Sequence, residues 1–425
     1  MTIEQTFLKR KDNPIYNTSY PIHPSDWAKY RINEPLSFES EEEISFYIHI
    51  PFCKQLCSFC EYTRMICPDE TIQKQYISTI DKDVSTFVAS HGMNMKLRGF
   101  DIGGGTPTAL SESNLRLLLQ TFKQVLDRID TTPDFEPSIE GTFNTLTESK
   151  LKAIVDAGIH RLSLGIQSTS KDVLCKHNRS HSNIDAMLYW IDTAHAIGIK
   201  KINLDLMYGL KGQNEETIAT DLRVIETLKP EQVALYELRT NMIESKEIPD
   251  KDVLFSQYSK FYEGLTSMGY NARFGQNTFS KSAEDLGVSS YLRSRMMEGA
   301  AYKGFGISAQ SMSKHGVSYN VGKSNHNIQP LISLESYNEE YVYKLPPIEI
   351  AAKYIAIGAY NGSFSIQHIK ELLNATALPF TEELDFLLSN QLVEIVNDRL
   401  YITKKGFHDY GATFSLLYTN IEKYI

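Results

Sequence analysis

Three of the five cysteines, Cys53, Cys57 and Cys60, crowd into eight residues with C-x3-C-x2-C spacing. In a reducing compartment such clustering reads as metal or redox chemistry before disulfide. Three thiolates on one short loop can grip three corners of an iron–sulfur cube, which normally takes four. The remaining iron then keeps an open site where a ligand can be bound and electronically activated. A zinc site would need a fourth ligand, with Cys67 or His49 as donors, and zinc usually shows two-residue spacing in both arms. The spacing therefore favours the cluster. Cys67 and Cys175 stand alone and read as ordinary thiols.

Other residues stand where strands should end. Gly103, Gly104 and Gly105 follow an apolar run, and without side chains their amides can approach a ligand closely. The pattern is not G-x-G-x-x-G, so a dinucleotide fingerprint is not indicated. Thr106-Pro107-Thr108 then fixes the turn before the next helix. Glu140 sits in a strand among Ser138, Ile139 and Gly141. Asp205 lies in the apolar run Ile202, Leu204, Leu206, Met207, where burial without a partner would be costly. That favours a ligand contact over a structural role.

The elements that must position these residues alternate along the chain. Strand patterns fall at Phe46–Ile50, Leu97–Ile102, Ser138–Phe143, Arg161–Ile166, Lys201–Met207 and Gln232–Leu238. Helical patterns intervene at Gln75–Ala89, Ser111–Leu126, Glu148–Ala157, Asn183–Ile197 and Glu215–Leu228, with a sixth at Leu254–Met268. Ser111 with Asn114 opens one helix, and Gly158 and Gly198 stop two others. Six βα units suit a parallel sheet, barrel-like or open, with ligands gathered at the carboxyl ends of its strands.

Residues 1–43 read as an irregular amino-terminal arm, 44–280 as the (β/α)6 core, and 281–345 as a connecting segment that completes the active site. In that segment Tyr302–Met312 looks like one glycine-punctuated strand. Pro346 and Pro347 mark a boundary, and 346–425 shows three helical patterns (Glu349–Ala359, Ile366–Asn374, Thr381–Asn390). The strands Val393–Val396 and Leu400–Thr403 follow, which makes a small winged-helix-like unit with a packing or lid role.

The 425 residues carry 43 Lys and Arg against 52 Asp and Glu, a net charge of −9. That balance argues against affinity drawn from nucleic-acid phosphates or an anionic membrane. No apolar stretch is long enough for a membrane span and the start lacks a secretory core, so the expected compartment is the cytosol.

The segment from Tyr47 to Cys60 resembles the signature of the radical S-adenosylmethionine (SAM) superfamily. More narrowly, YIHIPFC with CSFC is similar to the branch that holds oxygen-independent coproporphyrinogen III oxidase (HemN), the HemW haem chaperone and the HemN-like methyltransferases. Further echoes are Tyr16–Pro21, Gly103–Thr108, Ser163–Ser168, Asn203–Leu210 and Gly304–Ala309. The resemblance implies an α/β fold, a partial (β/α)6 TIM-like barrel. It also implies a 4Fe–4S cluster on Cys53, Cys57 and Cys60, which cleaves SAM to methionine and a 5′-deoxyadenosyl radical that takes hydrogen from the substrate. By the same matching, the Gly103–Gly105 turn holds the SAM amino group, with Gly104, Gly105 and Thr106 as cofactor-binding residues, and Glu140 contacts SAM. Gln167 reaches its carboxylate or ribose, Arg179 its carboxylate, and Asp205 its ribose. Tyr47 packs beside SAM, Phe52 and Phe59 shield the cluster, and Gly304–Ala309, ending at Ala309, borders a second SAM molecule.

The expected outcome is decarboxylation of a porphyrinogen propionate, with methyl transfer from a second SAM or haem binding as alternatives. The implied partners are a porphyrinogen or haem and a low-potential donor such as flavodoxin or ferredoxin, with no nucleic acid and no membrane; the chain is expected to be a monomer. Two departures bear on the choice. The oxidase branch usually continues C-x2-C-G-C, whereas Glu61 and Tyr62 follow Cys60 here. The chaperone branch carries H-N-x-x-Y-W, where this chain has Gly287–Leu292, and that counts against the chaperone.

Overall fold

β-branched and aromatic runs, each followed by a capped helix, set the architecture. The computed structural model describes residues 2–12, 24–180, 182–238, 247, 249–323 and 327–418. The core strands are β1 (Glu43–Ile50), β2 (Lys96–Gly104), β3 (Ser138–Gly141), β4 (Arg161–Gln167), β5 (Lys201–Tyr208) and β6 (Gln232–Glu237). They lie in sequence order and pair in parallel throughout. Parallel neighbours need crossovers, supplied by α1 (Glu70–His91), α2 (Glu112–Leu126), α3 (Glu148–Asp156), α4 (Ile184–Ile197) and α5 (Glu215–Leu228), with α6 (Lys251–Ser267) after β6. The Asp69 carboxylate caps α1 by accepting from the amides of Thr71 and Ile72, and Ser111 caps α2 through Asn114. Each cap is worth about 1 kcal/mol. Gly198 ends α4 at φ 123°, a conformation that side chains disfavour.

Alternation along the strands separates two faces. Phe46 of β1 and Phe100 of β2 pack against Phe87 of α1 and Phe122 of α2. The opposite face carries polar groups: Ser45, Tyr47, Asp101, Glu140, Arg161, Asn203 and Asp205. A further helix, α7 (Ser290–Met297), lies on that polar face, where Ser45 and Ser294 share a hydrogen bond of 2.7 Å. Gly99 makes room for it: a Cβ there would sit 2.3 Å from the Tyr291 amide nitrogen.

Residues 281–345 do more than connect. β7 (Thr278–Ser280) pairs antiparallel with β6, and β8 (Tyr302–Phe305) pairs parallel with β1 on the other flank. β9 (Gln310–Ser313), β10 (Gly316–Asn320), β11 (Glu339–Lys344) and Arg31–Ile32 extend that flank, for twelve strands in one series among the described residues. The single strand expected over Tyr302–Met312 is two strands, because Gly306 and Ser308 turn the chain at φ 93° and 65°.

The expected irregular arm contains a helix, Ile3–Asp12. Its sequence has no sustained period because docking holds it: Phe7 packs on Phe386, and Arg10 donates to the Ser415 carbonyl at 2.7 Å. Beyond Pro346 come α8 (Pro347–Gly358), Ile366–Leu373 and Thr381–Ser389, with a three-stranded sheet of Ser363–Ser365, Val393–Val396 and Arg399–Ile402. Tyr16–Pro21 lies outside the described residues. No described helix is long and apolar enough to cross a membrane.

Candidate active site

β1 runs through Pro51 into the cysteine loop. Phe52–Cys53 pairs with Met65–Ile66, and the Cys67 amide donates to the Cys53 carbonyl at 2.8 Å, so the loop is closed at its base. Arg64 ties its interior by donating to the Cys57 carbonyl at 2.6 Å. Cys53 and Cys57 are buried and Cys60 is half-buried. Burial pushes the Cys53 thiol up to about 11, with Cys60 and Cys57 adding to the rise, and burial also raises Cys60. Any metal centre here must therefore displace protons on binding. Cys67 turns away: its sulfur lies 3.5 Å from the Ala109 carbonyl and receives Gln73 Nε2 at 3.4 Å.

The glycine turn crosses the loop. The Gly105 and Thr106 amides donate to the carbonyls of Ile50 and Phe52, both at 2.8 Å, and the Thr106 hydroxyl lies 3.7 Å from Cys53 Sγ. A Cβ on Gly105 would stand 2.9 Å from that sulfur, and one on Gly104 2.4 Å from His49 Nδ1. The Gly104 amide donates to Glu140 at 3.0 Å. Burial first, then Asp205, pushes the Glu140 carboxyl up to about 8. Burial also raises Asp205, opposed by donation from Asn203 Nδ2 at 2.7 Å and from Ser163 at 3.2 Å. Two carboxyls with elevated pKa on the polar face of β3 and β5, either side of β4, are suited to a cationic or hydroxylated ligand.

A second segment clasps the loop from β4. Gln167 ends β4 at φ 66°, where the β4–β5 register shifts. Arg179 donates to the Gly165 carbonyl and to Cys57 Sγ, the latter at 3.3 Å. Asn178 donates to the Leu56 carbonyl at 2.8 Å, and the Ser58 amide to the His177 carbonyl at 3.0 Å. Phe59 is buried in an apolar cluster with Val173, Met207, Leu210 and Leu238, while Phe52 meets Tyr76. Tyr47 stacks on Tyr291 at 5.5 Å and 19°. His49 donates from Nε2 to the Thr63 carbonyl, 2.8 Å away, and burial lowers it to about 4, so it is neutral.

The structure thus places the three cysteines, Gly104, Gly105, Thr106, Gln167 and Arg179 at or just beyond the carboxyl ends of the strands, and Tyr47, Glu140 and Asp205 on the polar face of the strands themselves. Phe59 backs the loop. Ala309 is buried in the β8–β9 hairpin, whose Gly306 approaches the His49 carbonyl on the far side of β1. Sequence reasoning missed Asp101, which accepts from Ser289 at 2.6 Å, and Arg161, which donates to Ser138 and to Gln232 at 2.8 Å each. Both are charges inside apolar strands, the same signal that marks Asp205. Tyr291 and Arg295 on α7 carried no such signal.

With this geometry in view, the class is defined: residues 47–225 match the Radical SAM superfamily, and the chain carries a radical SAM domain. Its relatives are HemW and HemN. The heme chaperone HemW of Haemophilus influenzae is 32% identical over 53% of this chain and 60% of the relative. The anaerobic coproporphyrinogen III oxidase 1 of Cereibacter sphaeroides is 26% identical over 70% of this chain and 69% of its own. The chain thus spans about three-fifths of the Haemophilus relative's length. In fold it matches HemN of Escherichia coli, TM-score 0.72 at 22% identity, covering 89% of this chain and 91% of that one. The missing H-N-x-x-Y-W stretch therefore does not set the chaperone aside, since HemW relatives stand beside the oxidase ones.

The superfamily implies a 4Fe–4S cluster and SAM, and the residues present fit them. Three thiols share one loop, the donor set of a cube with one open iron. The glycine turn packs directly against that loop and the polar face, where a Cβ on Gly105 would meet Cys53 Sγ at 2.9 Å and one on Gly103 the Glu140 carboxylate at 2.6 Å. Among the described residues no three His, Cys, Asp or Glu side chains converge as a single ion requires. A cube asks instead for one thiolate on each of three irons.

Proposed function

We propose that Cys53, Cys57 and Cys60 hold a 4Fe–4S cluster, that the Gly104–Thr106 turn, Glu140, Gln167, Arg179 and Asp205 hold SAM, and that the substrate is a tetrapyrrole. When bound, cluster and SAM supply one-electron reductive cleavage of SAM and hydrogen abstraction. The chain's own part is positioning and exclusion of water. The glycine turn fixes Cys53 and offers amides, Glu140 offers a buried acceptor for an ammonium group, and Phe52 and Phe59 keep water from the loop. The observation that carries the reading is the crossing of the Gly103–Thr106 turn over the cysteine loop, with Glu140 hydrogen-bonded to it.

The favoured outcome is oxidative decarboxylation of a coproporphyrinogen propionate. A second reading, haem binding and delivery, is favoured by the HemW relatives. The test is anaerobic: reconstitute the cluster, add SAM and a low-potential reductant, and quantify 5′-deoxyadenosine, carbon dioxide and S-adenosylhomocysteine with and without coproporphyrinogen III. Deoxyadenosine and carbon dioxide rising with the porphyrinogen support the oxidase. Stoichiometric haem binding without deoxyadenosine supports delivery, and adenosylhomocysteine points to methyl transfer from a second SAM. Cys53→Ala should abolish the cluster; an intact 4Fe–4S spectrum in that variant would overturn the ligand assignment.

A further inference from the structure

Arg295, on α7, projects from the polar face beside Tyr47. Its hydrogen bonds are long and go to neutral oxygens: Nη1 to the Tyr291 hydroxyl at 3.5 Å and Nη2 to Gln310 Oε1 at 3.3 Å. Gln310 Oε1 is already occupied by the Tyr302 hydroxyl at 2.6 Å. Its Nε is buried with no partner, and no described carboxylate forms an ion pair with the guanidinium. The rings of Tyr302 and Tyr291 lie 5.0 and 6.0 Å from it, which attracts a cation weakly but does not replace a counter-ion.

Two further cations from separate elements feel the same charge. Lys323, after β10, sits over the Tyr319 ring at 5.1 Å. Lys353, on α8, is pushed down to about 7 by burial, with Arg295 and Lys323 adding repulsion. Lys323 also faces the Glu61 carboxylate, so the charge left without a described carboxylate is the guanidinium of Arg295, and a buried guanidinium is costly for a fold to keep without an anion. Tyr62, in the loop beside Cys60, is 65% exposed and lies within the field of Arg295, so whatever binds there is next to the cysteine loop.

We propose that Arg295 is the substrate's anchor: its guanidinium receives a carboxylate of the substrate in paired hydrogen bonds, with Lys323 and Lys353 supplying the surrounding positive field. A planar guanidinium matches a carboxylate edge with two donors, which an ammonium cannot do. The assignment rests on the tetrapyrrole reading only for the identity of the acid, and adds which residues select it. Arg295 is thereby a specificity-determining residue, and the bound molecule is held beside the loop by its charged group.

The experiment is binding to the reconstituted holoprotein under anaerobic conditions, with three probes: coproporphyrin III, its tetramethyl ester, and glutarate as a small dicarboxylate. Wild type should bind coproporphyrin at least tenfold tighter than the ester. Arg295→Gln should lose that tenfold and the discrimination with it, while Arg295→Lys retains part, with the 4Fe–4S spectrum unchanged in both. Equal binding of coproporphyrin by wild type and Arg295→Gln, with the spectrum intact, overturns the anchor while leaving the tetrapyrrole reading in place. Arg295-dependent glutarate binding without coproporphyrin binding supports the anchor and overturns the tetrapyrrole. Binding of none of the three by wild type overturns both.

Discussion

Glu140→Gln isolates the electrostatics of the polar face. The side chain keeps its size and its acceptor for the Gly104 amide, 3.0 Å away, and loses only the ability to ionise. In the folded chain burial and Asp205 push the carboxyl from 4.5 up to about 8. An unfolded chain gives up this proton near its ordinary value while the folded chain holds it. Between those pH values the unfolded state therefore binds fewer protons, and stability falls as pH rises. A span of about 3.5 pH at about 1.4 kcal/mol each sets an upper bound of about 5 kcal/mol. Asp205 and Asp101 share the same field, so about half of that is the expected gain of the variant over wild type at pH 8, falling to nothing near pH 4.5. Urea unfolding of the cluster-free, reduced proteins at half-unit pH steps measures it. Parallel stability curves for the two proteins would refute the buried-carboxyl argument.

Two further perturbations probe how the site is held. Gly99→Ala would place a Cβ 2.3 Å from the Tyr291 nitrogen and 2.5 Å from its Cα, both backbone atoms, so α7 must move. The expected cost is about 1–3 kcal/mol, read by urea unfolding, and unaltered stability would show that α7 does not lie on β2. His49, lowered to about 4 by burial, should not titrate between pH 8 and 5; an imidazole C2 proton shift with an ordinary midpoint near 6.5 would contradict its enclosure. Because the unfolded chain takes up that proton first, His49 stabilises the fold above pH 6.5 and this contribution is lost as pH falls towards 4.

The six βα units were legible because each strand is a compact run of β-branched or aromatic residues and each helix has an amphipathic period and an end signal, as at Ser111 and Gly198. The cysteine loop was legible because three thiols at that spacing have few structural uses. Three things were hidden, each for a physical reason. The helix at Ile3–Asp12 depends on docking through Phe7 and Arg10 rather than on its own period. The β8–β9 hairpin turns at Ser308, a non-glycine residue held at positive φ. Helix α7 has a weak period because it is covered on both sides, by the sheet at Gly99 and by α8. Its one functional cation therefore looks, in sequence, like any surface arginine.

That concealment has a consequence for how this chain relates to HemW and HemN. The superfamily match ends at residue 225, and it contains the cysteines, Glu140, Gln167, Arg179 and Asp205. Arg295, Lys323 and Lys353 all lie beyond it, on α7, after β10 and on α8. The residues proposed for cluster and SAM are thus encoded in one stretch and those proposed for the substrate in another, and only the fold brings them together, through β8 pairing with β1 and α7 resting on Gly99. An alignment over half the chain, such as the one with the Haemophilus chaperone, is too short to compare both stretches in full. Whether a relative shares this chain's substrate should therefore follow the cations at 295, 323 and 353 rather than the identity of the cysteine loop.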